Sequence, residues 1–220
     1  MNTIIFDIET VAQSFSDFDK EQQVYLLKQA KTTEEEKKTK EEMSLWALTN
    51  QVVAIGLLSA ETEKGGVYFV SEEKKEWEEG NIKYWSGTEK EILERFWQAI
   101  GRADRFVTFN GRGFDCPVLL LRSAILGVKP SRNLVPYRYT SQEHVDLLDQ
   151  LQFYGAHRKF NLDFYCKAFG IDSPKSGGIS GKDVGRLFSE KQFDTIARYC
   201  AGDLAATRSL YLRWQEFLQF

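Results

Sequence analysis

Residues 3–9 read TIIFDIE, a run in which β-branched and aromatic residues lead into two acids. This composition predicts a β-strand, and a period of two puts Asp7 and Glu9 on the same face of it. Two carboxylates so placed repel each other unless a cation lies between them, and Mg²⁺ and Mn²⁺ prefer oxygen ligands. The stretch therefore predicts a sheet strand that carries candidate metal ligands. An exposed strand edge that merely ends in acids is the alternative.

A third acid follows in a context that suits a site at the edge of a sheet. Residues 109–115 read FNGRGFD, and Asp115 stands between a predicted strand at 105–109 and a helix that begins CPVLLLRSAIL. Open α/β folds place their sites at the carboxyl ends of strands, where this residue is expected. Aspartate is also a favoured cap at the N-terminus of a helix, so a capping role for Asp115 stays open.

A tyrosine and an aspartate near the end of the chain complete the pattern. Residues 199–203 read YCAGD in a segment that is predicted to be helical. Residues four apart share a helix face, so Tyr199 and Asp203 point in the same direction. The carboxylate is suited to holding a metal. The phenol, with an ordinary pKa of about 10, is a poor general base and is better suited to orienting a water molecule.

The rest of the chain predicts a mixed α/β domain over residues 1–220. The further predicted strands cover residues 51–59, 67–70, 105–109 and about 145–148, and a helix capped by Thr88 runs to about Ile100. The glycine pair at 65–66 marks a turn and predicts an antiparallel hairpin, whereas the later strand–helix–strand order predicts parallel strands. We expect a mixed five-stranded sheet flanked by helices, with a charged helical insertion at about 13–48.

The net charge of the chain predicts no overall attraction for nucleic acid. A local stretch rich in basic residues, in contrast, could attract it. The chain has 220 residues, of which 28% are charged, and a formal net charge of −3. The cations of the stretch are Arg105, Arg112, Arg122, Lys129, Arg132 and Arg138. Such a stretch near acids suits a surface that follows a phosphate backbone. An ordinary solvated face is an equally weighted alternative.

Cysteine usage and hydropathy lead us to expect a cytoplasmic location and no membrane partner. The 3 cysteines are far apart and form no CxxC pair, which argues against a disulfide framework or a zinc site. The N-terminus carries acids where a signal peptide has a basic start, and no apolar run reaches membrane-spanning length.

Together, FDIET, FNGRGFD and YCAGD resemble the three exonuclease motifs of the DEDD (DnaQ-like) 3′–5′ exonuclease superfamily, in its tyrosine-bearing branch. The second motif is similar to the Asn-x-x-x-Phe-Asp motif in the proofreading domains of family B DNA polymerases. The chain resembles the free-standing predicted 3′–5′ exonucleases that are related to those domains. ALTNQVVAIG, HVDLLDQL and NLDFYCKAFGI extend the resemblance over most of the chain outside the insertion. It implies a ribonuclease H-like fold, with which the strand order agrees independently.

The resemblance also implies a catalytic role for each motif residue. Asp7 would bridge two divalent cations, Mg²⁺ or Mn²⁺. Glu9 and Asp203 would join it on the catalytic ion, whereas Asp115 would hold the second ion, largely through water. Tyr199 would orient the attacking water. The implied reaction is two-metal hydrolysis of the terminal phosphodiester at a single-stranded 3′ end, which releases nucleoside 5′-monophosphates.

The substrate and its contacts are expectations of a weaker kind. DNA is favoured over RNA, and an RNA exonuclease or a catalytically silent nucleic-acid-binding module stays open. A separate polymerase or repair protein stays open as a partner. The substrate-binding candidates are Asn110, Arg112, Phe114 and Lys159, with Arg132, Arg138 and Arg158 as further backbone contacts and Asp146 as a weaker auxiliary candidate. The glycine-rich loop at 173–182 either closes over the substrate or, slightly favoured, is a simple connector.

A competing histidine pattern is present as well. His144 and Asp149 fit the His-x-x-x-x-Asp spacing of the histidine-bearing branch of the superfamily. They fall in a short apolar piece soon after Asp115, whereas the third motif belongs on a later helix. We interpret this match as a coincidence.

Overall fold

The structure, a computed structural model, describes residues 1–172 and 178–219. The described strands are β1 (Thr3–Ala12), β2 (Asn50–Ser59), β3 (Gly65–Val70), β4 (Glu76–Glu79), β5 (Ile82–Gly87), β6 (Arg105–Thr108) and β7 (His144–Asp146). They form one mixed sheet with the order β4-β5-β3-β2-β1-β6-β7. β1 is central, because it pairs antiparallel with β2 on one side and parallel with β6 on the other.

Helices cover both faces of this sheet. The described α-helices are α1 (Lys20–Leu26), α2 (Thr33–Glu42), α3 (Glu89–Ile100), α4 (Asp115–Ile125), α5 (Leu147–Leu151), α6 (Leu162–Ala168), α7 (Val184–Ser189) and α8 (Phe193–Phe217). One apolar cluster joins Phe6 and Ile8 of β1 to α3 and α4. A second cluster joins Ile5 to α8, which lies across β1, β2 and β3. The alternation predicted for β1 is therefore confirmed, and it divides the core between the two faces.

The number of strands in the sheet is a correction to the sequence analysis. The expectation of five strands is wrong, because β4 and β5 add a hairpin at the edge of the sheet. The hairpin turns at Gly80, which has a φ of +59°. Three of the four β4 residues are exposed glutamates, which hides the strand in an acid-rich run, and such charges are typical of an edge strand. Only Trp77 of β4 turns inward, where it stacks on Tyr84 with ring centroids 4.5 Å apart.

The connections around the sheet agree with the sequence in part. Thr88 caps α3 with a reciprocal capping box to Glu91, as predicted. The glycine pair at 65–66 does not form the turn of the first hairpin, because it already belongs to β3. The segment between β1 and β2 contains α1 and α2, and no residue of either helix is buried. Part of the loop at 173–182 lies outside the described residues. Among the described residues, no helix is long and apolar enough to cross a membrane.

Candidate active site

The acids of β1 lie on the sheet face that α8 covers. Carboxylate oxygens of Asp7 and Glu9 lie within 4.8 Å of each other and of the Sγ atom of Cys200 on α8. Glu9 is buried and Asp7 is half-buried. The register between β1 and β2 shifts just after Glu9, where Thr10 pairs with Val52. Such an irregularity re-aims side chains and is frequent beside active sites.

Asp115 reaches the same place from the start of α4. β6 ends at Thr108 and pairs only with the first part of β1, so the backbone N–H of Ile8 has no strand partner on that side. The Oδ1 atom of Asp115 accepts a hydrogen bond from this N–H at 3.2 Å. Asp115 is the first residue of α4, whereas the N-cap position is occupied by Phe114, so Asp115 is not the N-cap residue of this helix. Its carboxylate also accepts a hydrogen bond from its own backbone N–H. The carboxylate points toward the acids of β1.

The approach of α8 to the sheet brings the last pair of residues. Gly56 is the β2 residue opposite Asp7. A Cβ atom at this position would lie 2.6 Å from Cδ1 of Leu204 and 2.9 Å from Sγ of Cys200, so only glycine allows α8 to lie this close. Asp203 is buried beside the β1 acids, and the hydroxyl of Tyr199, one turn earlier, hydrogen-bonds to the Asp203 carboxylate.

The electrostatics show that these acids form one group. Burial raises the pKa of both Asp7 and Glu9 well above ordinary values, and the carboxylates of Asp115 and Asp203 raise them further. Burial likewise raises the pKa of Asp115 to about 7, against the opposing effect of its backbone hydrogen bonds. Burial and the neighbouring carboxylates also raise the pKa of Tyr199. The structure thus brings together all five residues that the motifs predicted.

This donor set fits divalent metal ions that prefer oxygen. Several carboxylates share one dry environment, and their mutual repulsion would be relieved by a cation between them. The thiol of Cys200 does not change this preference, because burial and then the nearby acids raise its pKa well above the usual value and keep it protonated. Hard ions such as Mg²⁺ and Mn²⁺ match this set better than thiolate-preferring Zn²⁺ does.

The loop that leads to Asp115 is held by Asp146. The backbone N–H groups of Asn110 and Arg112 each donate to the Asp146 carboxylate at 2.9 Å. Asn110 takes a φ of +65°, which asparagine tolerates better than most residues. Asp146 also accepts from the N–H of Leu148 at the start of α5. The weaker auxiliary candidate of the sequence analysis is therefore the residue that shapes the second motif.

The substrate-binding candidates occupy different surroundings. The Nζ atom of exposed Lys159 donates to Oδ1 of Asn110 at 2.9 Å. The guanidinium of Arg112 donates to the carbonyl oxygens of Pro136 and Tyr137, at 2.7 and 3.3 Å. Phe114 precedes α4 and packs, partly buried, against the apolar cluster on that face. Thus Lys159 is the cation of this set that faces solvent beside the second motif.

The expectation of a basic surface over residues 105–138 is largely wrong. Arg122 is buried and makes a two-point ion pair with Glu89, with distances of 2.8 and 2.7 Å. Arg105 is buried, and Arg132 donates to the carbonyl of Ala103 in the interior. The exposed Arg138 pairs with Asp149 at 2.6 Å. The stretch from 105 to 138 therefore mainly satisfies internal groups.

The histidine pattern lies apart from the acids. His144 is buried on β7, where its ring stacks on Phe106 and its Nε2 atom is 2.8 Å from the hydroxyl of Thr108. Burial lowers its pKa well below the usual value. Asp149 belongs to the ion pair with Arg138. The interpretation of this spacing as a coincidence agrees with both positions.

Two residues at the site were missed from the sequence. Cys200 lies beside Asp7 and Glu9, and its position next to Tyr199 in YCAGD was the available signal. Gly56 was the second, and an isolated glycine inside an apolar strand is a sign that another part of the chain approaches closely.

Comparison with known proteins agrees with this geometry. Residues 45–219 match the family described as predicted 3′–5′ exonucleases related to the exonuclease domain of PolB. The chain belongs to this family. It is accordingly classed as an exonuclease, a hydrolase that acts on nucleic acid, and this confirms the resemblance noted in the sequence. No curated protein matches the chain.

A solved structure gives the fold of this PolB-related exonuclease. The chain is similar to the family B DNA polymerase from the hyperthermophilic archaeon Pyrobaculum calidifontis, with a TM-score of 0.65 and 20% sequence identity. The match covers 99% of this chain and 25% of the polymerase chain. At this identity it bears on the fold alone, and the expected ribonuclease H-like α/β class is confirmed.

Proposed function

We propose that this PolB-related exonuclease is a divalent-metal-dependent enzyme of the tyrosine-bearing branch. It would remove nucleotides from single-stranded 3′ ends and release nucleoside 5′-monophosphates. One observation carries the proposal: acids from β1, α4 and α8 meet in one group, in which burial and mutual repulsion raise the pKa of Asp7, Glu9 and Asp115. A protein gains nothing in stability from such a group, so a bound cation is the simplest reason for it.

The carboxylates divide the work of holding the ions in this proposal. Asp7, Glu9 and Asp203 would hold the catalytic ion, and Asp115 the second. When bound, Mg²⁺ or Mn²⁺ ions would neutralise the charge that develops on the phosphate and lower the pKa of a bound water. The hydrogen bond from the N–H of Ile8 to Asp115 fixes the distance between the first two motifs before any ion or substrate binds. Preorganisation of this kind is what lowers a reaction barrier.

Tyr199 acts as a positioning group for the attacking water. Its raised pKa keeps the phenol protonated at neutral pH, so it does not take the proton of the water. Its hydroxyl hydrogen is directed to Asp203, and the phenol oxygen keeps lone pairs that can accept a hydrogen bond from the water. The water oxygen would then attack the terminal phosphorus in line, and the bond to the 3′-oxygen of the preceding nucleotide would break. The water gives up its proton to solvent and the departing 3′-oxygen takes one from solvent, which leaves a 3′-hydroxyl and a nucleoside 5′-monophosphate.

The remaining assignments are part of the same proposal. Residues 1–220 form one exonuclease domain with an insertion at about 13–48, and Lys159 contacts a substrate phosphate beside Asn110. DNA is the favoured substrate, and an RNA exonuclease is the alternative. A separate polymerase or repair protein is the proposed partner. The dispersed cysteines, all buried, suit a reducing cytoplasm.

A time course on 5′-labelled oligonucleotides tests this function. Wild-type protein with Mg²⁺ or Mn²⁺ is expected to give a ladder of products that shorten from the 3′ end, faster on single-stranded DNA than on RNA. Asp7→Asn is expected to abolish the ladder while the melting temperature is retained or raised. Asp17→Asn, an exposed acid in the insertion, is the matched control and should behave as wild type. A ladder of equal rate from Asp7→Asn contradicts the proposal.

A further inference from the structure

A group of exposed aromatic rings lies on the segments that precede and follow β7 and α5. Tyr137, Tyr139 and Phe153 are 72%, 61% and 57% exposed. The rings of Tyr137 and Tyr139 are 5.7 Å apart, and the ring of Tyr139 is 5.1 Å from that of Tyr154. Tyr154 is half-buried, and exposed Phe153 is its neighbour in sequence, with its ring 5.5 Å from that of His157. Single exposed rings are ordinary, but a group of rings of which three are exposed indicates a binding surface. We refer to Tyr137, Tyr139, Phe153 and Tyr154 as the aromatic patch.

The exposed charged side chains next to the rings are mainly cationic, although exposed Glu143 follows the first segment and Arg138 is paired with Asp149. Residues 135–142 and 152–160 contain no aspartate or glutamate, whereas they contain Arg138, Arg158 and Lys159. Arg158 and Lys159 are exposed, and the Arg158 guanidinium lies 5.1 Å from the centroid of the Phe160 ring. A ring surface edged by cations is complementary to a strand with stacked bases and phosphates.

The backbone of the patch is strained. Phe153 and Tyr154 are adjacent and take φ values of +51° and +55°, in the left-handed region that bulky residues avoid. The hydroxyl of Tyr154 accepts a hydrogen bond from Gln150 at 2.7 Å, which helps to hold this conformation. Strain that the surrounding structure maintains is concentrated at functional sites. The chain therefore holds these two rings in a conformation that folding alone does not favour.

The patch is joined directly to the second motif. At one end, the carbonyl oxygen of Tyr137 accepts a hydrogen bond from Arg112. At the other end, Lys159 donates to the side chain of Asn110. Both contacts are made to the loop that ends at Asp115. A strand whose 3′ end lies among the acids thus has a continuous route onto these rings.

We propose that the aromatic patch binds the unpaired strand upstream of the scissile phosphate, by stacking bases on its rings while Arg158 and Lys159 contact phosphates. This proposal rests on the proposed function, since it names the surface that holds the rest of the same substrate. It commits to a single strand rather than a protein, because every ionised group exposed on these two segments is cationic. It also makes affinity depend on the length of the strand.

Equilibrium binding without turnover tests the proposal. Fluorescence anisotropy would be measured in a chelator with 5′-labelled oligothymidylate and oligouridylate, each as a trinucleotide and at a length of about twelve nucleotides. The variant Tyr137→Ala/Tyr139→Ala is expected to weaken binding of the longer strands about twenty-five-fold or more, because each of the two stacked rings contributes roughly five-fold or more. Tyr137→Phe/Tyr139→Phe, which keeps the rings, should bind nearly as wild type does. Arg158→Ala should reduce the salt dependence, with the slope of log affinity against log salt smaller by about 0.7.

Tyr25→Ala is the matched control, because Tyr25 is 76% exposed but lies on α1 in the insertion. It should leave affinity unchanged. Equal affinity of wild type and Tyr137→Ala/Tyr139→Ala for the longer strands would overturn the proposal and assign the patch to a protein partner, and so would the absence of any length dependence in wild type.

Failure of the proposed function has a different signature. Hydrolysis of a mononucleotide p-nitrophenyl ester by wild type and by Asp7→Asn reports on the acids without a long strand. No hydrolysis by wild type overturns the proposed function. Ester hydrolysis that depends on Asp7, combined with unchanged strand binding in Tyr137→Ala/Tyr139→Ala, overturns only the patch. If both proposals are right, kcat/KM of that variant falls further for the long strand than for the ester.

Discussion

The Oδ1 atom of Asp115 accepts a hydrogen bond from the backbone N–H of Ile8, at 3.2 Å. Ile8 lies between Asp7 and Glu9, so this bond attaches the start of α4 to the strand that carries two of the acids. The bond exists because β6 ends early and leaves this N–H without a strand partner on that side. Because β6 does not pair with Ile8, the free backbone N–H of Ile8 can bind Asp115, and this bond sets the distance between the first and second motifs.

Gly56 is expected to control the position of α8. Gly56→Ala places a Cβ atom against Leu204 and Cys200, which forces α8 away from β2 and Asp203 away from Asp7. We predict a loss of about 1–3 kcal/mol in the free energy of unfolding and a fall in exonuclease activity of roughly 10-fold or more. Gly66→Ala on β3 is the control, since a Cβ atom there would lie 3.3 Å from its nearest neighbour, the carbonyl oxygen of Lys83. Equal activities of the two variants would show that the close approach of α8 is unimportant.

Asp146 is expected to act on catalysis through the second-motif loop. Asp146→Ala removes the acceptor for the N–H groups of Asn110 and Arg112, so it should lower the free energy of unfolding by about 3 kcal/mol. It should also reduce kcat, because Asp115 at the end of this loop is displaced. Glu143→Gln, an exposed neighbour, should change neither quantity. Unchanged kcat in a folded Asp146→Ala protein would remove this positioning role.

Stability without metal should decline as the pH rises. Burial raises the pKa of Asp115 in the folded protein to about 7 from its ordinary value of 3.8. The folded state therefore holds this proton more tightly than the unfolded state does, so the contribution is fully present below the ordinary pKa and is lost as pH rises toward 7. In a chelator, the melting temperature of wild type should fall across this range relative to that of Asp115→Asn. Saturating Mg²⁺ should remove the difference in slope, and parallel pH profiles in the chelator would count against the buried acidic group.

The buried pair of Arg122 and Glu89 should matter for stability but not for substrate binding. Arg122→Ala leaves Glu89 buried without its cation, which is expected to cost about 3–5 kcal/mol in the free energy of unfolding. Arg186→Ala breaks an exposed pair with Glu190 and should leave the free energy of unfolding close to that of wild type. Denaturant titrations of both variants give the comparison. A similar loss in the free energy of unfolding for both variants would mean that burial of the Arg122–Glu89 pair does not increase its importance for stability.

The sequence predicted those parts of the site that depend on local periodicity. Asp7 and Glu9 share a face because strands alternate, and Tyr199 and Asp203 share one because helices repeat every 3.6 residues. Local periodicity does not show on which side of the sheet the face of β1 and the face of α8 meet. That meeting depends on Gly56, which matters only once α8 is packed against the sheet.

The features that the sequence did not predict also depend on contacts between distant elements. β4 was hidden because its glutamates face solvent at the sheet edge, where a strand needs only Trp77 turned inward. Arg122 was included in a basic surface because its partner, Glu89, is on a different helix and is invisible in a local window of sequence. Local patterns thus predicted elements and faces, whereas pairing across elements required the tertiary structure.

Acids from β1, α4 and α8 are proposed to hold divalent cations together. Calorimetric titration of the metal-free wild-type protein with Mn²⁺ measures this binding. We predict two bound ions per chain, loss of the tighter site in Asp203→Asn, and unchanged binding in the exposed control Asp17→Asn. Wild-type protein that binds no Mn²⁺, or Asp203→Asn that binds it as wild type does, would contradict the account.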